Sequence, residues 1–75
     1  MIESIVLIEG RDVTHEALKI SLANAKQIVV GNAGELGVIL HVAAMSPDDL
    51  ANALREFAQV PGVTGVMTLA LRLQE

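Results

Sequence analysis

Apolar and polar positions along this chain fall into six short blocks, each with its own period. Residues 2–8 (IESIVLI) are rich in β-branched side chains, and the alternation predicts a strand with Ile5 and Leu7 on one face and Val6 and Ile8 on the other. Glu9, Gly10, Arg11 and Asp12 break that run. Beyond them Ala17, Leu18, Ser21, Leu22 and Ala25 recur at i, i+1, i+4, i+5 and i+8, which predicts a helix capped by Asp12. His15, Glu16, Lys19 and Lys26 lie off that stripe and should face water. Residues 27–30 (QIVV) predict a second strand, and Gly31-Asn32-Ala33-Gly34 has the chemistry of a hairpin turn. Residues 36–43 (LGVILHVA) form the returning strand.

Ser46-Pro47-Asp48-Asp49 then supplies a capping hydroxyl, a proline at the first helical position and two carboxylates at the positive helix end. Leu50, Ala53, Leu54, Phe57 and Ala58 recur at i, i+3, i+4, i+7 and i+8, an amphipathic stripe that ends at Pro61-Gly62. Residues 63–73 alternate as a last strand, with Val63, Gly65, Met67, Leu69, Leu71 and Leu73 expected on one face. Thr64, Val66, Thr68, Ala70 and Arg72 are expected on the other. The order β-α-β-β-α-β predicts an α+β, ferredoxin-like fold: a four-stranded antiparallel sheet with two helices on one face, in one domain over residues 1–75. Two β-α-β halves, residues 2–30 and 36–73, repeat in structure without matching in residues.

A sheet with helices on one side should show a polar bare face. This one does not. In the third strand Leu36, Val38, Leu40 and Val42 share one face, while Ile39 and Ala43 flank His41 on the other. The first strand is apolar on both faces too. So large an apolar patch predicts a covering subunit, through Ile5, Leu7, Ile39 and His41, in a homodimer or higher homo-oligomer.

Composition narrows the function classes. Of 75 residues, 52% are apolar and 19% charged, which excludes intrinsic disorder. With no cysteine, neither disulfides nor thiolate metal sites can staple the chain. The net charge of −4 argues against direct nucleic-acid binding, since phosphate contacts need clustered Lys and Arg. The apolar runs are far shorter than the ~20 residues of a membrane span. Met1-Ile2-Glu3-Ser4 lacks a basic segment ahead of an apolar one, so no export signal and a cytoplasmic setting are expected.

Candidate chemistry is sparse. His15 and His41 are the only imidazoles, and no ligand-spaced His, Asp or Glu cluster accompanies them, so no metal or cofactor is expected. Ser4, Ser21 and Ser46 lack a nucleophile-elbow context. Asp48 and Asp49 complement the helix dipole. The chain reads as no enzyme. The glycine-rich hairpin alone has unusual backbone freedom, which suits either a plain turn or amides offered to an anion.

From the hairpin onward the chain resembles the effector-binding (RAM) domain of the Lrp/AsnC regulators. The matching pieces are Gly34-Glu35-Leu36 opening a strand, the capped helix of residues 46–60, and Val60-Pro61-Gly62-Val63 with Thr68 five residues after Val63. Gly37 stands where that family carries an aspartate. The resemblance implies a ferredoxin-like protomer, face-to-face sheet dimers and higher assemblies. It also implies an amino acid or related effector at a subunit boundary, near Asn32, Gly34, Glu35 and Thr68. No DNA-binding helix-turn-helix is expected beside it. The chain is also similar to NapD-type chaperones of twin-arginine signal peptides, through Glu3-Ser4-Ile5-Val6-Leu7, Gly34-Glu35-Leu36 and Pro61-Gly62-Val63. Their last strand carries an aromatic residue, where this chain has Leu69-Ala70-Leu71-Arg72.

Overall fold

The computed structural model describes residues 1–35 and 37–73. Strands β1 (Ile2–Gly10), β2 (Ala25–Asn32), β3 (Gly37–Ala44) and β4 (Val63–Leu73) form one sheet in the order β2-β3-β1-β4. Every neighbouring pair is antiparallel. One α-helix, α1 (Pro47–Ala58), packs on one face, so the architecture is α+β. The predicted Leu36 position lies outside the described residues.

Helix α1 forms where its residues demand it. Ser46 Oγ accepts from the Asp49 amide at 3.1 Å and donates to Asp49 Oδ2 at 2.9 Å, with Pro47 opening the first turn. Leu50, Ala53 and Phe57 are buried against Val6, Ile8, Val38, Leu40 and Val42 from the two central strands. The even residues of β1 and β3 therefore build the core, and the odd ones face away from it.

The first predicted helix is not there. Residues 11–24 contain only a 3-10 turn, Glu16–Leu18, so the sheet carries one helix and not two. Asp12 caps nothing; it adopts a left-handed φ of 57°, as Asn24 does at 58°. The Thr14 hydroxyl accepts from the Ala17 amide instead, at 3.1 Å. Chain length explains the failure. Ala25 pairs with Ala44, and Ala44 with Ile2, so the connection must return along all of β1, about 26 Å, and cross β3. Wound as one helix, residues 11–24 would reach only about 21 Å. The later connection, residues 45–62, covers a similar span with four more residues and keeps its helix. The shorter one stays mostly extended. Leu18 alone of the predicted stripe is fully buried, while Ala17 and Ser21 are exposed. Gln27 of β2 holds the segment, its Nε2 donating to the carbonyls of Leu18 at 3.1 Å and Ile20 at 2.7 Å.

Two further expectations need correction. The hairpin turn lies later than Gly31–Asn32, which continue β2 past a register shift at Val30; the left-handed glycine is Gly34, at φ 59°. In β4 the uninterrupted alternation fails, because the register against β1 slips between Ile5 and Val6 and leaves Leu69 without a partner. Met67 then shares a face with Leu7, whereas Leu71 and Leu73 fall opposite Ser4 and Ile2 on the helix side. Buried Ser4 donates from Oγ to the Ala70 carbonyl at 3.0 Å, beside that irregularity. Ser4→Ala is expected to lower stability by about 1 kcal/mol, read as a drop in the urea midpoint.

Candidate functional site

Among the described residues, no helix or strand covers the face of the sheet opposite α1. Its side chains follow from the register. One rung runs Ile28, His41, Ile5, Ala70 across β2, β3, β1 and β4; the next runs Gly31, Ile39, Leu7, Met67. Ile28 is 63% exposed and Met67 50%, while Ile5, Leu7 and Ile39 are half-buried by their neighbours alone. Beyond the apolar rungs lies a charged one, Lys26, Ala43, Glu3, Arg72. Glu9 stands at the far end of β1, beside Gly37 and Gly65.

Glu3 links the charged rung to the apolar centre. Its Oε2 accepts from Arg72 Nη2 at 3.0 Å, and its Oε1 lies 3.7 Å from His41 Nε2. These groups and the flanks of Ile5 and Ala70 line a shallow hollow of about 510 Å³. A larger hollow, about 850 Å³, lies between residues 15–22 and β2, on the helix side. The amide nitrogen of Gln27 there is already bonded to two carbonyls of the connection, so the lining offers fewer groups for a ligand to meet.

The predicted interface residues Ile5, Leu7, Ile39 and His41 thus occupy adjoining positions on this face. The predicted ligand residues do not share one site within a protomer. Asn32, Gly34 and Glu35 lie at the β2–β3 turn, on one edge of the sheet, and Thr68 lies on β4, the opposite edge. Two strands separate them, a lateral distance of about 14 Å. Asn32 Oδ1 is 3.0 Å from His15 Nε2, so its side chain already tethers the connection to the end of β2. Among the described residues no three His, Asp or Glu side chains gather closely enough to hold a metal ion. No helix among them is long and apolar enough to cross a membrane.

The residues that complete the face, Lys26, Ile28, Met67 and Arg72, were missed from the sequence. Periodicity within β2 and β4 marks some of them as alternating. Only the cross-strand register places them beside His41 and Leu7, because a one-residue slip reverses every side chain of a strand.

The backbone leaves no room for a side chain at position 37. A Cβ built there would collide with the Ile8 carbonyl oxygen, and would lie 2.8 Å from its carbon and 3.1 Å from Glu9 Cα. That neighbour is strand backbone, which cannot swing aside. Set against known proteins, the chain matches no family model, no curated protein and no solved structure.

Proposed function

We propose that this chain is a non-catalytic regulatory module of the Lrp/AsnC effector-domain type, self-associating through its open sheet face. The observation that carries the reading is the apolar centre of that face, with Ile5, Leu7, Ile28, Ile39 and Met67 contiguous across four strands. The partner that fits best is a second copy. Four strands about 4.8 Å apart, each with about seven residues at about 3.3 Å, cover roughly 450 Å². Two such faces in contact remove about 900 Å² before side-chain relief is counted, close to the ~1,000 Å² of a specific interface. The small residues on the face, Gly31 and Ala70, offer space for the large Met67 and Ile28 of a second copy. The strand order β2-β3-β1-β4 and the helical connection between β3 and β4 are compatible with a ferredoxin-like protomer.

An effector site made of Asn32, Gly34, Glu35 and Thr68 then needs two copies. A two-fold axis running along the strands lays the β2 edge of one copy over β4 of the other, so the two halves would meet at the rim of the sheets, because Asn32 and Thr68, opposite Val38 and Val6, lie on the helix side. Sedimentation equilibrium at micromolar concentration tests the assembly; a single species of about 8 kDa, the mass of one chain, refutes it. For the effector, a screen of the twenty amino acids should include one that raises the melting temperature of the assembled protein. At a hundredfold excess over Kd the stabilisation is about 2.7 kcal/mol. Thr68→Val should reduce that shift. A shift produced only by a peptide bearing two arginines would instead support a signal-peptide chaperone.

A further inference from the structure

The open face is apolar between two polar ends, Glu9 at one and the rung of Lys26, Glu3 and Arg72 at the other, and His41 borders the second. Its neighbours on the same rung are Ile28 of β2 and Ile5 of β1. The charged groups facing it are Glu3 from β1, Lys26 from β2 and Arg72 from β4; Glu9 lies at the far end of β1, beyond the apolar rungs. Glu3 Oε2 is occupied by Arg72 at 3.0 Å, and Glu3 Oε1 is 3.7 Å from the His41 ring.

With a neutral imidazole, the Glu3 carboxylate has one cation among the described residues at hydrogen-bond distance, Arg72, and Lys26 stands at the other edge of the same rung. A proton on His41 puts a second cation beside that carboxylate, one of whose oxygens Arg72 already holds, with Lys26 diagonal to His41 on the neighbouring strand. While the face is open, water and salt screen the surplus charge. Once a second copy covers the face, that screening is lost, and a charge without a full counter-ion is buried. Imidazoles as a class change charge between about pH 5 and pH 8, so the difference falls in an accessible range.

We propose that His41 is a proton-linked switch on this face: copies associate with the imidazole neutral, and acidification separates them. The inference rests on the self-association proposed above and adds its regulation. The sign follows from linkage. The separated copy binds the proton better than the associated one, so association weakens as pH falls. Each proton that must leave changes Kd by up to about tenfold per pH unit, and a two-fold dimer has two copies of His41.

Sedimentation equilibrium at about pH 8 and about pH 5.5 reads the effect. The wild-type Kd should rise by about tenfold or more on acidification. His41→Gln should associate with a Kd that barely changes between the two conditions, while His15→Gln should keep the wild-type response. As a second readout, the His41 ring resonances followed by NMR should titrate at lower pH in concentrated protein than in dilute protein. A wild-type Kd that is unchanged or tightens on acidification overturns the switch and leaves the dimer standing. So does a His41→Gln variant that retains the response, or a ring titration independent of concentration. A wild-type protein that is monomeric at both pH values overturns the dimer itself, and the switch with it.

Discussion

Ile39→Lys is expected to turn the associated protein into a monomer while leaving the fold intact. Ile39 sits on the central apolar rung, between Gly31 and Leu7, with Met67 one strand further. In a lone protomer its side chain points to the open face, where a lysine extends into water and strains nothing. Under a second copy the ammonium would be buried with no carboxylate on its own rung, the nearest being Glu9 one rung on and one strand over. The two-fold symmetry places two such charges in one interface. Removing an ion from water without a partner costs several kcal/mol, so Kd should rise at least about 100-fold, roughly 3 kcal/mol. Ile5→Lys should act in the same direction, because Ile5 lies on the next rung of the same face. Sedimentation measures both, and circular dichroism confirms the fold. A variant Ile39→Lys that sediments like the wild type would falsify the assignment of this face.

Gly37→Asp should be strongly destabilising. The added Cβ meets the Ile8 carbonyl and Glu9 Cα, so β3 has to move away from β1 at their junction. Those two strands form the centre of the sheet, and Ile8 and Val38, both buried, sit beside the contact. Overpacking of this kind costs about 1–3 kcal/mol, and more when backbone has to shift. A 75-residue domain has about 4–11 kcal/mol in all. Urea denaturation should show a large drop in midpoint, and Gly37→Ala should show most of the same loss, since the clash is made at Cβ. If Gly37→Ala is as stable as wild type, the close approach of β3 to β1 is not the reason for the glycine.

Local interactions are legible from a string of residues, and long-range ones are not. Ser46, Pro47 and the stripe through Leu50, Ala53 and Phe57 announce α1 because capping and a 3.6-residue period act within one or two turns. The two faces of β1 and β3 follow from alternation, and they separate Val6 and Ile8 in the core from Ile5 and Leu7 on the open side. The stripe through Leu18 and Leu22 was as regular as that of α1, yet it did not wind into a helix. Its fate depended on how far residues 11–24 must travel across a sheet whose strand order no local pattern contains.

The candidate site divides along the same line. Ile5, Leu7, Ile39 and His41 are apolar or borderline positions of the right parity, and parity is a property of the chain. The corner where Arg72 meets Glu3 joins residues 69 positions apart, and Lys26 joins the same rung from the opposite edge. Leu71 and Leu73 fell on the helix side because a slip in the pairing of β4, beside Leu69, breaks its alternation. Asn32 and Thr68 lie on opposite edges because β3 and β1 pair between β2 and β4. Capping, period and parity act over a few residues and survive in the sequence; register, strand order and span are set by hydrogen bonds between distant segments, and only the folded sheet decides them.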